Sequence, residues 1–302
     1  MWTAALSRRC LPAVGLTVAG ATATKYFHRH SGSTPACCAE VSFSKSEFRS
    51  FAISEVQEVN HDTKILRCKL PSDEHSMGMT VSSAVLVKGK PDAEGKAPFR
   101  PYTPISTDDQ KGYFELLVKG YPQGVVSKHL CSLKVGDTVQ VKGPLPKLSY
   151  EANMKKHVGM VAGGSGITPM LQVLKEALKN PADETTFTLI FGNQTPADIL
   201  LREELKTLEA TSQGRLQVFF LVDKNPSDDQ GIYDVGYFNA DLAKYTLPPA
   251  SADTLVYVCG PPGMMKAVSG PKLFIKGKPP AQGEVGGVLK ELGYSADMVY
   301  KF

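Results

Sequence analysis

Two glycine-rich segments follow predicted strands and open predicted helices, which is the setting in which many proteins bind a nucleotide phosphate. The first is GGSGITP, residues 163–169, and the second is CGPPGM, residues 259–264. Glycines let the backbone turn tightly and let a ligand approach it, and the N–H groups that begin a helix favour an anion. Thr168 is predicted to cap its helix, with Pro169 in the first turn. The pattern predicts a nucleotide site, and an ordinary strand–helix turn is the alternative for each segment.

Asp223 is the candidate for binding the ribose of that nucleotide. It ends the third predicted strand in the second half of the chain. In the plain dinucleotide fingerprint, the ribose-binding acid follows the glycine loop by about 20 residues. The sequence therefore indicates a nucleotide-binding pattern that differs from that fingerprint.

The segment RPYTPIS, residues 100–106, offers groups for a flat, anionic ligand. Arg100 presents a planar guanidinium that matches a phosphate, and Tyr102 and Thr103 present a ring and a hydroxyl. An edge strand with an exposed arginine and a packed tyrosine is the alternative. Residues 124–127, GVVS, open a predicted helix that Ser127 is expected to cap. That helix start is a second candidate anion site, and a routine capped helix is its alternative.

The elements that must position these residues fall into two patterns. Short strand-like runs broken by turns predict an antiparallel barrel or sandwich in the first half. The predicted strands are 51–59, 63–69, 83–88, 113–119 and 138–142. In the second half, four strand–helix pairs predict a mostly parallel, doubly wound sheet that binds ligands at the carboxyl ends of its strands. The pairs are 158–162 with 169–179, 187–191 with 199–208, 216–222 with 239–245, and 254–259 with 262–268.

The charge balance and the cysteines exclude several classes of protein. The 302 residues carry 34 Lys and Arg against 30 Asp and Glu, and four of those cations lie in residues 1–39, which hold no acid. The remainder is formally neutral, which argues against a nucleic-acid partner. The six cysteines show no metal-ligand spacing, so we expect no metal site. Redox chemistry here requires an organic cofactor or a metal-bearing partner.

Residues 1–44 are predicted to be a targeting segment that can also anchor the protein, followed by a polar linker over 31–44. An acid-free segment rich in Arg, Ser, Thr and Ala is typical of a mitochondrial presequence. The apolar stretch 11–27 is shorter than the roughly 20 residues of a bilayer span, so both a single transmembrane helix and a presequence that is removed stay open. A secretory signal peptide and a disordered tail are the alternatives. We place the domains at 1–44, 45–150 and 151–302.

Together these motifs resemble those of the ferredoxin reductase-like flavoproteins. R-x-Y-T, G-x-x-S, G-G-x-G-I-T-P-M and C-G-P-P-x-M occur in this order. The strings RPYTPIS, GGSGITPMLQV, NQT with DILLREEL, and the terminal Phe302 are similar to the NADH–cytochrome b5 reductase family. KGPLPK and GVLKELGYSADMVYKF, with the N-terminal segment, resemble its mitochondrial fungal type. The resemblance covers residues 48–302.

The resemblance implies a six-stranded antiparallel β-barrel domain that binds FAD, followed by an α/β Rossmann-like domain that binds NADH. Arg100 then pairs with the FAD pyrophosphate beside Pro101, Tyr102 lies against the flavin ring, and Thr103 bonds near its reactive nitrogen. The other residues assigned to FAD are Gly124, Val125, Val126 and Ser127 at the pyrophosphate, and Thr168 at the flavin. Val125 stands where the family often has Lys, which we expect to loosen FAD retention.

On the NADH side, the resemblance assigns a role to each glycine-rich segment. Gly164, Ser165 and Gly166 cradle the phosphates, and Ser165 stands where the family commonly has Thr. Lys119 and Tyr121 line the flavin and the nicotinamide, and the residues that border the nicotinamide are Cys259, Gly260, Pro261 and Met264. Asp223 meets the adenosine ribose, and its carboxylate would repel a 2′-phosphate and so select NADH, although Lys224 offsets part of that repulsion.

The implied activity is hydride transfer from NADH to FAD, followed by single-electron transfer to cytochrome b5 or a similar haem protein. Thr103, Lys119 and Cys259 are the predicted catalytic residues. The alternatives are a related reductase that feeds another acceptor, and a membrane-tethered redox sensor that only binds nucleotides. We expect a monomer in the mitochondrial outer membrane or intermembrane space. Lys147, Lys155, Lys156 and His157 are predicted to dock an acidic partner, with solvated linker lysines as the alternative.

Overall fold

The first half of the chain forms a six-stranded antiparallel sheet because its apolar side chains alternate along each strand. The computed structural model describes residues 41–224, 231, 233–275 and 280–302. The strands are β1 Arg49–Glu58, β2 Thr63–Lys69, β3 Ser83–Lys88, β4 Phe99–Tyr102, β5 Tyr113–Lys119 and β6 Thr138–Pro146. Their order is β4-β3-β6-β1-β2-β5. The Ile105 N–H donates to the Glu115 carbonyl at 3.0 Å, which links the segment after β4 to β5, so the two edges of the sheet meet.

Three phenylalanines fill the centre of this barrel. Phe43, Phe51 and Phe114 contact one another edge to face, with ring centroids 4.9 to 5.5 Å apart. The Phe43 N–H also donates to the Met77 carbonyl at 3.1 Å. The predicted linker to residue 44 is therefore too long at its end, because residues 41–43 already pair with the segment at 76–77, and the side chains of Ser42 and Phe43 are buried.

The second half forms a parallel six-stranded sheet with helices packed on it. The strands are β7 His157–Gly163, β8 Thr186–Asn193, β9 Leu216–Val222, β10 Asp234–Val235, β11 Thr254–Cys259 and β12 Val299–Lys301. The α-helices among the described residues are α1 Val125–Ser132, α2 Ile167–Lys179, α3 Arg202–Thr211, α4 Ala240–Thr246, α5 Pro262–Ser269 and α6 Gly287–Glu291. The strand order is β10-β9-β8-β7-β11-β12. The strands β8 to β10 are added on one side of β7, and β11 and β12 are added on its other side. Such a switch point in the strand order opens a ligand crevice.

The predicted fold class is confirmed, and the differences lie in short or irregular elements. The strands β4, β10 and β12 and the helix α6 were not predicted, because two to five residues carry too little periodicity. The predicted helix 199–208 is instead a 3₁₀ turn at Pro196–Asp198 followed by α3. Leu201 interrupts the two with a left-handed φ of 55°.

One buried hydrophobic cluster spans the barrel and the α/β half. Ile105 and Leu117 of the barrel are 5% and 2% exposed and belong to the same buried cluster as Met160 and Phe191 of the parallel sheet. Polar contacts add to this packing: the Ser83 N–H donates to Oε1 of Gln172 at 3.0 Å. The two halves form one compact unit over residues 39–302.

The predicted targeting segment and anchor lie largely outside the described residues, which begin at Val41. Within the part of the chain that the structure describes, none of the helices has the length and apolarity needed to cross a membrane.

Candidate functional site

A cavity of about 500 Å³ opens at the carboxyl ends of the parallel strands. Gly163, Asn193 and Asp223 line it from the ends of β7, β8 and β9. Lys119 and Tyr121 line it from the barrel. The sheet edge at a topological switch point is where doubly wound folds bind nucleotides, and here the opposite wall comes from the other domain.

The two glycine-rich segments form one surface because their backbones touch. A 3₁₀ turn at Gly164–Gly166 leads from β7 into α2, and Gly164 has a left-handed φ of +53°. A Cβ added to Gly166 would lie 2.2 Å from the Cys259 carbonyl oxygen, and one added to Gly163 would lie 2.5 Å from Sδ of Met264. Only glycine permits this approach, so the first segment is held against the second by close backbone packing.

The predicted caps at Thr168 and Ser127 are wrong. Gly166 is the N-cap of α2, and the Thr168 hydroxyl donates to the Ser165 carbonyl at 3.2 Å. Gly124 is the N-cap of α1, where the Ser127 hydroxyl accepts from the Tyr121 N–H and donates to the Gly124 carbonyl, both at 3.3 Å. Each helix therefore begins without a side-chain cap. At α2 the preceding 3₁₀ turn already uses the Ile167 N–H, which donates to the Gly164 and Ser165 carbonyls, so the positive end of the helix dipole is what favours an anionic ligand there.

Asp223 and Asn193 stand side by side at the far wall of the cavity. The Asp223 N–H donates to the Asn193 carbonyl at 3.0 Å. Burial raises the pKa of Asp223, and the neighbouring Lys224 lowers it by less. Oδ1 of Asn193 is buried, and no hydrogen-bond donor reaches it from the described residues. Sequence reasoning missed Asn193 as a site residue; its signal was its place at the carboxyl end of β8.

Lys119 and Tyr121 reach the cavity across the domain boundary. The hydroxyls of Tyr121 and Ser165 are 2.9 Å apart, which joins the barrel to the first glycine segment. The Lys119 side chain is 12% exposed, and its Nζ donates to Oδ1 of Asp62 at 2.8 Å. The structure thus brings together the barrel residues and the loop residues that the sequence assigned to one nucleotide.

The RPYT residues lie on and directly after β4, an edge strand of the first sheet. Arg100, Pro101 and Tyr102 belong to β4, and Thr103 follows it directly. The Arg100 guanidinium is exposed and donates to the Phe99 carbonyl at 2.8 Å; within the described ranges no carboxylate pairs with it. Burial raises the pKa of Tyr102, as do the nearby Cys131 and Tyr121, while Arg100 opposes the rise. Tyr102 therefore stays a neutral ring at this edge.

The start of α1 lies beside this edge. The Gly89 N–H donates to the Pro98 carbonyl at 2.7 Å, and a Cβ on Gly89 would meet Val126 at 3.0 Å and Pro98 at 3.4 Å. Val125 is 64% exposed and adds no polar side chain. An unpaired guanidinium, an uncapped helix start and a neutral phenol ring fit a ligand with a pyrophosphate and a flat ring system, which is the chemistry of FAD.

Cys259 ends β11, and Gly260, Pro261 and Met264 continue from it along the glycine loop. Burial raises the pKa of the Cys259 thiol to about 12, against a smaller opposing effect of Lys272. The thiol therefore stays protonated and does not supply a thiolate; of this segment, Pro261, Gly263 and Met264 line the cavity.

Three of the four predicted docking residues, Lys155, Lys156 and His157, lie at the end of β7 opposite the cavity, whereas Lys147 follows β6. Lys155 and Lys156 precede β7, where Lys156 pairs with Asp253 at 2.9 Å and Lys155 donates to the Ala252 carbonyl at 2.6 Å. The cavity begins at the other end of β7, seven residues away, which is about 20 Å for a strand. These lysines cannot border the cavity, because β7 carries the chain away from them.

Comparison with known proteins matches both halves of the chain. The family model "Oxidoreductase FAD-binding domain" matches residues 50–150, and "Oxidoreductase NAD-binding domain" matches residues 160–270. The chain is 45% identical over 302 residues to NADH-cytochrome b5 reductase 2 of Pyricularia oryzae, with 96% of this chain and 89% of that protein covered. It is 48% identical over 254 residues to NADH-cytochrome b5 reductase 2 of Neurospora crassa, with 84% and 72% covered.

A solved structure shows the same arrangement of the two domains. It is the cytochrome b5 reductase domain of Ulva prolifera nitrate reductase, which matches with a TM-score of 0.73 and 29% identity. The match covers 87% of this chain and 100% of that one.

Gly166→Ala should damage the cavity, because the added Cβ would meet the backbone of Cys259 at 2.2 Å. Overpacking of this kind costs about 1–3 kcal/mol. We expect a lower Tm in thermal unfolding and weaker binding in a nucleotide titration. Gly263→Ala is the matched control, since no atom lies within 4 Å of its added Cβ and its Tm should not fall. Parent-like stability and binding of Gly166→Ala would contradict the close packing.

Asp223→Ala should lower the preference for NADH over NADPH, because the variant loses both the ribose acceptor and the repulsion of a 2′-phosphate. A hydrogen bond to a charged group contributes about 1.5–3 kcal/mol, so the ratio of kcat/KM values should fall by at least about tenfold. Asp241→Ala, which removes an acid on α4 outside the cavity, serves as the control. A ratio that stays at the parent's value would show that Asp223 does not contact the ribose.

Proposed function

Because the chain belongs to the NADH-cytochrome b5 reductase family, we propose that it oxidises NADH through bound FAD and passes the electrons to cytochrome b5. The observation that carries this function is the cavity shared by the two domains. Its α/β wall holds the glycine loops and Asp223, and its barrel wall holds Lys119 and Tyr121. A dinucleotide bound along the strand ends therefore reaches the domain that matches the FAD-binding family.

Bound FAD supplies the redox chemistry, since it accepts a hydride and releases electrons one at a time. The chain's own residues bind and orient. Arg100 and the uncapped start of α1 would hold the FAD pyrophosphate, and Tyr102 would lie along the ring system. Gly164–Gly166 and the start of α2 would hold the NADH pyrophosphate, and Cys259 with the loop after it would border the nicotinamide.

A related reductase that feeds another acceptor is the second candidate. The observation that favours it is the solved structure with a TM-score of 0.73, which is a domain of a nitrate reductase. The same two-domain unit thus also occurs in a larger redox enzyme. The acceptor is therefore the part of the function that an experiment must assign.

We also propose that the protein is a monomer tethered at the mitochondrial outer membrane or in the intermembrane space. The support is the composition of residues 1–39, which carry four cations and no acid. The folded unit over 39–302 contains the cavity and both cofactor-binding segments, so location and chemistry reside in separate parts of the chain.

The purified protein should be yellow, and NADH should bleach it in the absence of oxygen. The bleached protein should then reduce purified cytochrome b5, which is followed by the haem absorbance, and other haem proteins form the comparison panel. Bleaching without reduction of cytochrome b5 would favour the second candidate. A protein that binds FAD but is not bleached by NADH would contradict both.

A chain that begins at Ala39 should keep its FAD and its turnover with ferricyanide but lose mitochondrial association in cells. A second truncation that begins at Ser46 removes Phe43 from the barrel core. Loss of a buried phenylalanine costs about 3–5 kcal/mol, so this chain should show a lower Tm and less bound FAD. Retained mitochondrial association of the Ala39 chain would place the targeting signal elsewhere.

A further inference from the structure

Three charged side chains meet at one wall of the cavity, two from the barrel and one from the α/β half. Nζ of Lys119 lies 2.8 Å from Oδ1 and 2.7 Å from Oδ2 of Asp62, and 3.7 Å from Oδ1 of Asp198. The side chains of Lys119, Asp62 and Asp198 are 12%, 25% and 7% exposed. Solvent therefore screens this cluster much less than a surface ion pair, and Lys119 and Asp198 both line the cavity.

Asp62 is fixed by its own backbone as well as by its side chain. Its carbonyl accepts from the Gly120 N–H at 2.7 Å, directly after Lys119, and its Oδ1 accepts from the Thr63 hydroxyl at 2.7 Å. Burial alone raises the pKa of Asp62, but the hydrogen bonds from Lys119 and Thr63 outweigh it and hold that pKa below its usual value. Asp62 is therefore an ionised and rigid anchor for the ammonium.

Asp198 presents a buried oxygen to the same ammonium from the other domain. Its Oδ2 accepts from the N–H and the hydroxyl of Thr195, at 3.1 and 2.8 Å. Its Oδ1 is buried, and no donor in the described part of the chain lies within hydrogen-bond distance. A buried acceptor without a donor is unfavourable. Two side chains face this oxygen: Lys119, and the exposed His61, whose Nδ1 lies 3.9 Å from it.

A metal ion is the competing explanation for this cluster. Ligand atoms of His61, Asp62 and Asp198 lie within 4.8 Å of one another. However, the ammonium of Lys119 already contacts both oxygens of Asp62 and faces Asp198. The position that a cation would take is therefore filled by a side chain of the protein itself.

We propose that Asp62 and Asp198 are positioning residues that hold the Lys119 ammonium between the two domains. They set where Lys119 faces the bound nucleotide, and they tie the barrel wall of the cavity to its α/β wall. This inference rests on the proposed function, because Lys119 acts on NADH only if NADH binds in this cavity.

The proposal predicts a split between turnover and affinity. Asp62→Asn frees Lys119 from its main anchor, and a misplaced group near a reacting centre can cost about 10²-fold in rate. The same change removes one negative charge next to Lys119, which lines the cavity, so binding of an anionic nucleotide should not weaken. We expect kcat per bound FAD to fall at least about tenfold with ferricyanide, while KM for NADH and the dissociation constant of NAD⁺ do not rise.

Asp109→Asn is the matched control, because it also breaks an ion pair between the two halves. Asp109 follows β4 and pairs with Lys179 of α2 at 2.9 Å, outside the nucleotide cavity. This variant should keep the parent kcat. Asp62→Glu retains the charge and should recover part of the lost turnover. Parent-like kcat in Asp62→Asn, or an equal loss in Asp109→Asn, would overturn the proposal.

Thermal unfolding tests, independently of turnover, whether Lys119 forms a bridge between Asp62 of the barrel and Asp198 of the α/β half. If Lys119 links Asp62 to Asp198, the decrease in Tm of the double variant, Asp62→Asn with Asp198→Asn, should be smaller than the sum of the decreases in the two single variants. Additive losses would show that the two carboxylates act independently and would overturn the bridge. Because this measurement needs no NADH, failure of the bleaching experiment would remove the proposed function without deciding the bridge.

Discussion

The alternation of side chains along β5 is the constraint on which the site depends. Successive residues of a strand point to opposite faces, so Phe114, Leu116 and Val118 enter the barrel core. Leu117 points the other way into the core of the α/β half. Lys119, two residues later on the same face, therefore arrives at the cavity wall. A strand that is buried on both faces fixes the domain interface and the position of the charged residue together.

The site combines this interface with two helices that begin at glycines. Gly124 and Gly166 occupy the N-caps of α1 and α2, and no side chain satisfies the first turn of either helix. One helix start lies beside the arginine of β4 and the other lies at the strand ends. These two glycine-started helices are the ones that lie next to the RPYT strand and the cavity, which suits an enzyme that binds the anionic ligands FAD and NADH together.

Several sequence interpretations were wrong, and each has a local physical cause. Ser127 and Thr168 are favoured capping residues, but a glycine stands before each and begins the helix earlier, so both hydroxyls donate back to preceding carbonyls. The lysines before β7 were close in sequence to the glycine loop, yet a strand separates its two ends by its full length. The segment at 41–43 lies at the end of a Ser-rich stretch, but Phe43 is 5% exposed in the barrel core.

The sequence by itself determined the fold class, the two nucleotide-binding segments and most strands, because these depend on local periodicity and on the backbone freedom of glycine. It also pointed to Asp223 and Arg100 through the positions of a carboxylate and a guanidinium beside predicted strand ends or turns. Only the tertiary structure decided that Gly166 packs on Cys259, that Asn193 faces the cavity and that Asp62 and Asp198 meet at Lys119. The residues that meet here lie far apart in the chain. Their contacts arise from how the two sheets pack, and no local sequence pattern predicts that packing.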